Sequence, residues 1–112
     1  MRVIIAGSRN INDLEMVKYA VLQSGFEITE VVSGNASGID RQGEIYAHLN
    51  NIPVKVFEAC WSAYGRSAGP IRNQLMIDYA DALIAIPGTK ESRGTWDIIS
   101  KAKRKGLRVF VY

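Results

Sequence analysis

Val32-Ser33-Gly34-Asn35-Ala36-Ser37-Gly38-Ile39-Asp40 decides the fold. Apolar residues enter this stretch, small polar residues turn it, and a helical pattern leaves it with Ile39, Gly43 and Ala47 on one stripe. A strand that feeds a helix through a glycine turn is the βα unit of a parallel sheet. Gly34 and Gly38 let backbone N–H groups approach a ligand closely, and the helix that follows points its positive end at the same place. Ser33, Asn35 and Ser37 add short hydrogen-bonding side chains. Together they have the chemistry of a phosphate cradle.

The same build recurs on both sides. Arg2 to Ala6 reads as a buried strand, turned by Gly7-Ser8-Arg9-Asn10. Asn12 or Asp13 caps a helix that runs to about Ser24 and is closed by Gly25. Ile28 to Ser33 is the second strand, Gly38 to Asn50 the second helix, and Pro53 to Phe57 the third strand. Glu58 to Ser67 reads as an irregular connection carrying Trp61 and Tyr64. Pro70 suits the first turn of a third helix ending near Tyr79. Ala82 to Ile86 is a uniformly apolar strand, Pro87 to Arg93 a loop, Gly94 to Lys105 a helix closed by Gly106, and Leu107 to Tyr112 the last strand.

Strict alternation predicts an α/β fold, with a doubly wound parallel sheet of five strands between two helical layers. The first and fourth strands carry no internal charge and belong at the centre, whereas Lys55 and Arg108 mark the third and fifth as edges. The order is therefore 3-2-1-4-5, with the switch point between strands one and four. Gly7-Ser8-Arg9, Ser33 to Asp40 and Pro87 to Thr95 all fall at the ligand-binding edge of that sheet.

The 112 residues suit one domain, spanning 1–112, and a core without staples. A hydrophobic content of 47% argues against disorder. Cys60 is the only cysteine, which excludes an internal disulfide and fits a reducing, cytoplasmic setting. Met1-Arg2 leads straight into a strand with no signal peptide, and no apolar run is long enough for a bilayer, so no membrane partner is expected. The net charge of +3 is mild and gathers in Lys101, Lys103, Arg104, Lys105 and Arg108. Without interleaved aromatics, that patch reads as cations at a helix C-terminus rather than a nucleic-acid surface.

Neither G-x-G-x-x-G nor G-x-x-x-x-G-K-[ST] is present. The candidate site is instead built from the glycine turns and from arginines. Arg9 and Arg72 are the leading phosphate clamps, since a guanidinium fork matches phosphate oxygens bidentately. Arg72 falls in Gly69-Pro70-Ile71-Arg72-Asn73 and reads as a first-turn residue, equally compatible with an ordinary surface arginine. Arg41 and Arg93 are weaker candidates. Asp40 and Asp97 sit near helix starts; each serves a helix dipole or cap, and the pair in one pocket would suit glycosidic chemistry. Trp61 and Tyr64 either stack on a base or roof the core. His48 reads as a surface residue and Cys60 as inert. No spacing suggests a metal site, and no cofactor is expected.

Five motifs stand in order: Gly7-Ser8-Arg9, Ser33-Gly34-Asn35-Ala36-Ser37-Gly38-Ile39-Asp40-Arg41, Trp61 to Gly65, Ala68-Gly69-Pro70-Ile71-Arg72-Asn73 with Met76, and Pro87-Gly88 with Gly94-Thr95. On these the chain resembles the YspA-type branch of the SLOG superfamily, a Rossmann-like group related to the LOG phosphoribohydrolases and to DprA. The resemblance implies a nucleotide or nucleotide-derived ligand, held by Gly7, Ser8, Arg9, Ser33, Gly34, Asn35, Ser37, Gly38, Asp40, Trp61, Arg72, Asn73, Pro87, Gly88, Gly94 and Thr95. Members span sensors or effectors of prokaryotic and phage conflict systems, hydrolases, and binders of single-stranded DNA. The LOG signature is an Arg ahead of a Met, then P-G-G-x-G-T-x-x-E. Arg72 and Met76 match its first part, but Pro87-Gly88 is separated from Gly94-Thr95, and Ile98 stands at the glutamate position. Asp97 is adjacent but about 100° away around a helix. Cys60 stands where the YspA branch usually has Asp before the loop Trp. A sensor or carrier of a nucleotide-like ligand leads, with an N-glycosidic hydrolase using Asp40 or Asp97 and single-stranded DNA binding as alternatives. Small size and exposed edge strands also fit a homo-oligomer.

Overall fold

The computed structural model describes residues 1–112. Five parallel strands, β1 (Arg2–Gly7), β2 (Glu30–Ser33), β3 (Val54–Val56), β4 (Ala82–Ile86) and β5 (Arg108–Val111), form one sheet in the order β3-β2-β1-β4-β5. The helices are α1 (Leu14–Ser24), α2 (Ile39–Leu49), α3 (Trp61–Tyr64), α4 (Ala68–Tyr79) and α5 (Arg93–Lys105).

The central strands are apolar on both faces because both are covered. Val3 and Ile5 of β1, Val31 of β2 and Ile84 and Ile86 of β4 pack under Val17 and Ala20 of α1 and Ile39 and Ala47 of α2. The alternate residues Ile4, Ala6, Val32, Leu83 and Ala85 pack against Met76 and Ile77 of α4 and Ile98, Ile99 and Ala102 of α5. Each fully buried Val, Leu or Ile contributes about 1.5–3 kcal/mol. Gly43 brings α2 close to the sheet, since a Cβ there would stand 2.9 Å from Ile5 Cγ2.

Asp13 caps α1 by accepting from the Met16 amide at 3.2 Å. Gly25 and Gly106 close α1 and α5 in the left-handed conformation. Strand order, central and edge assignments, and these caps agree with the sequence expectation.

Two local readings need correction. The connection expected to be irregular from Glu58 to Ser67 contains α3 and a 3-10 turn at Gly65–Ser67. Helix α4 begins at Ala68, which puts Arg72 beyond its first turn. Pro70 is thus the third residue of α4, where its missing N–H still costs nothing. No helix is long and apolar enough to cross a membrane.

Candidate functional site

The sheet order reverses between β1 and β4, and the turns after β1 and β2 are pressed together at the carboxyl edge beside that point. The Ser8 amide donates to the Ile86 carbonyl at 2.9 Å, and the Ile39 amide donates to the Ser8 carbonyl at 3.0 Å. These contacts demand glycine. A Cβ on Gly7 would meet the Ile86 carbonyl oxygen at 2.3 Å, and one on Gly38, at φ +76°, would meet the Ser8 carbonyl oxygen at 2.2 Å.

Arg72 reaches from α4 across the sheet edge to this turn. It is only 8% exposed. Its Nη1 donates to the Gly34 carbonyl at 2.7 Å and its Nε to Asn73 Oδ1 at 3.1 Å. Its Nη2 has no protein partner. Burial lowers the Arg72 pKa, the Asp40 charge opposing this and the Arg9 charge adding to it. The first-turn placement is corrected, and of the two readings left open for Arg72 the ordinary surface arginine is excluded by its burial beside the 33–40 turn.

Asp40 is 5% exposed. Its Oδ2 accepts from the Ala36 amide at 3.3 Å. Burial pushes its carboxyl up to about 6; the Ala36 amide, the Arg72 charge and the Gly7 amide oppose the shift, while Glu44 adds to it. Ser33 donates to Glu44 Oε2 at 2.6 Å and accepts from the Asn35 amide at 3.0 Å.

The amide groups of Asn35, Ala36 and Ile39 are thus spent on Ser33, Asp40 and Ser8. The Ser37, Gly38, Asp40 and Arg41 amides have no protein acceptor, so the start of α2 also keeps open N–H groups. The start of α5 is open in the same way. Its N-cap Ser92 makes no side-chain cap, because the hydroxyl donates to the Pro87 carbonyl. The Arg93 amide donates to Glu91 and the Trp96 amide to Ser92, while the Gly94 and Thr95 amides between them have no protein acceptor. A 13-residue helix therefore presents two open N–H groups and its positive end.

A cavity of about 330 Å³ joins these parts, lined among others by Arg9, Asp40, Arg72, Arg93, Gly94 and Thr95. A second, of about 230 Å³, shares Arg9, Ala36 and Arg72 with it and adds Asn35, Glu58 and Trp61. Arg9 carries no side-chain hydrogen bond and lies over the Trp61 ring, 5.9 Å from its centroid.

Of the sequence candidates, Gly7, Ser8 and Asn73 also line the first cavity, and Gly34 and Ser37 the second. Ser33, Gly38, Pro87, Gly88 and Asp97 line neither. Asp97 accepts from Lys101 Nζ at 2.6 Å and from Asn73 Nδ2 at 3.0 Å, which separates it from Asp40 in role. Gly88, at φ +74°, packs its Cα side against Ile11. Tyr64 is exposed and lines neither cavity. Sequence reasoning missed Glu58 and Glu91. Glu58 could have been found from its place just after β3, at the same carboxyl edge as the turn carrying Asn35, which donates to it at 2.9 Å.

A search of curated proteins gives no match. Among solved structures, the chain is similar to the X-ray structure of DNA processing protein A (DprA) from Streptococcus pneumoniae, with a TM-score of 0.78 at 18% identity. The alignment covers 98% of this chain and 49% of that one, so the chain spans about half its length. At that identity the likeness shows the fold: a Rossmann-like α/β sheet with helices on both sides. A family model matches residues 1–64, which hold Gly7-Ser8-Arg9, the whole 33–40 turn and Trp61. The chain belongs to the YspA, cpYpsA-related SLOG family.

Proposed function

We propose that this chain binds a nucleotide or nucleotide-derived small molecule at the switch-point cavity, as a sensor or carrier. One observation carries the reading. Arg72 is buried with two of its nitrogens satisfied, yet its Nη2 is unpartnered in a cavity that also receives the uncapped start of α5. An arginine nitrogen open to a cavity beside open helix-start amides suits an anion. Phosphate sits on the Gly94 and Thr95 amides, with Arg72 beneath it and the exposed Arg9 closing from the solvent side. Asp40 holds the turn and Arg72 in place rather than serving as a first contact of the phosphate.

A hydrolase reading rests on Asp40, whose carboxyl at about 6 lies in the range useful to a general acid. Asp97 drops out of it, being engaged with Lys101 and Asn73. The word DNA in the neighbour's name makes single-stranded DNA the third ligand to test.

A thermal-shift screen with nucleoside mono- and diphosphates, ADP-ribose, NAD and a short oligonucleotide tests these together. A ligand at a hundred times its dissociation constant adds roughly 2.7 kcal/mol, and each kcal/mol raises the midpoint by about 4–8 °C. A shift with a nucleotide class supports the proposal. A shift with the oligonucleotide alone replaces it with DNA binding, and no shift with any ligand removes it. Base release from the stabilising nucleotide by wild type, abolished in Asp40→Asn, would turn the binder into a hydrolase.

A further inference from the structure

Arg9, Ala36 and Arg72 line both cavities, which therefore adjoin at these residues. The chemistry on the two sides differs. The first side offers α5 amides and cationic groups, which suit an anion. The second offers the half-exposed Trp61 ring, the Asn35 carboxamide and the Glu58 carboxylate.

Glu58 is the informative group. It shares a cavity with two arginines and pairs with neither; the ion pairs of the chain are Arg2–Asp81, Lys18–Glu15, Lys101–Asp97 and Lys105–Asp78. Instead its Oε1 accepts from Asn35 Nδ2 at 2.9 Å. Asn35 holds φ at 57°, a conformation that Asn tolerates better than most residues, and its side chain orients the carboxylate from the turn. The result is an oriented carboxylate, with acceptor capacity to spare, beside an aromatic ring and an anion site.

We propose that the second cavity is a base subsite for guanine, with Trp61 as stacking surface and Glu58 as acceptor for the ring N1–H and the 2-amino group. This rests on the nucleotide reading above and adds the base to it. A carboxylate accepts and cannot donate. Guanine places two N–H donors side by side on one edge, matching the two carboxylate oxygens. Adenine and cytosine set a ring-nitrogen acceptor beside their amino group, which faces the carboxylate lone pairs. Uracil and hypoxanthine offer one N–H donor flanked by groups that do not donate. Guanine alone meets both oxygens, and the Asn35 bond leaves the second lone pair of Oε1 free to take part.

Isothermal titration of GMP, IMP, AMP and ribose 5-phosphate into wild type and Glu58→Gln tests this. Glu58 is exposed, so the variant keeps the fold. The proposal expects GMP to bind about tenfold or more tighter than IMP or AMP, a step of roughly 1.4 kcal/mol. Glu58→Gln erases that preference, leaves ribose 5-phosphate unchanged and binds AMP at least as tightly as wild type, because the carboxamide sets a donor beside an acceptor and so matches the adenine edge. Equal binding of GMP and AMP by wild type, or an unaltered preference in Glu58→Gln, overturns the guanine assignment while nucleotide binding stands. Absence of binding by all four overturns both.

Discussion

Arg72 Nη1 donates to the carbonyl of Gly34 at 2.7 Å, across 38 residues of chain. This one bond ties α4 to the turn after β2 and so joins the two helical layers at the site. A Cβ on Gly34 would come within 2.6 Å of the same Nη1, so the glycine is as much a part of the contact as the arginine.

Arg72→Ala should therefore lower stability as well as any ligand affinity. It strands the Gly34 carbonyl and removes the charge facing Asp40, at a cost of about 2–3 kcal/mol. Arg72→Lys should retain part of this, because an ammonium cannot hold Asn73 and Gly34 with one planar fork. Urea unfolding of the three proteins measures it; equal midpoints for wild type and Arg72→Ala would place the guanidinium outside the fold's framework.

Glycines 25 and 38 share a positive φ and should differ sharply on substitution. Gly25 is at φ +71° with nothing within 4 Å of an added Cβ, so Gly25→Ala carries conformational strain alone, about 1 kcal/mol. Gly38→Ala meets the Ser8 and Arg9 backbone at 2.2–2.6 Å, which no rotamer relieves, and should cost more than about 3 kcal/mol. Thermal unfolding of the two variants checks the ranking.

The buried carboxyl of Asp40 gives stability a pH signature. Its pKa rises from 3.8 in the unfolded chain to about 6 in the folded protein. The folded state then holds a proton that the unfolded chain releases between those values. Stability from this group is full below about pH 4 and declines as pH rises through about 6, by up to about 3 kcal/mol. Asp40→Asn should lack this part of the decline, so the difference between the two unfolding free energies should change over that window. A difference that stays constant from pH 4 to 7.5 contradicts it.

Much of this protein can be read from the chain because its signals are local. Val3-Ile4-Ile5 and Ala82 to Ile86 announce doubly covered strands, Lys55 and Arg108 announce edges, and Asp13, Gly25 and Gly106 bound their helices. The site was legible only as a neighbourhood. The burial of Arg72 depends on a turn 38 residues away, and the Asn35–Glu58 bond spans 23. Whether an amide is open or spent also depends on tertiary partners, which is why the chain alone does not show that the Ile39 amide is spent on Ser8 while those of Asp40 and Arg41 stay open. The short α3 escaped because its four residues are too few for a periodic pattern.

Asp97 provides a control for the division of roles. Its carboxylate is held by Lys101 and Asn73 outside both cavities. Asp97→Asn should leave nucleotide affinity unchanged and cost about 0.5 kcal/mol of stability, as a helical i,i+4 pair does. Loss of binding in a folded Asp97→Asn protein would return it to the site.

The most direct test is a calorimetric titration of the best-stabilising nucleotide into wild type and Arg9→Ala. Arg9 is exposed and makes no side-chain hydrogen bond, so its removal should leave the unfolding midpoint in place. Affinity for the nucleotide should fall by about tenfold or more, the loss of one charge-assisted contact. Equal affinity in the two proteins, or no binding by wild type, would contradict an anion site at the start of α5.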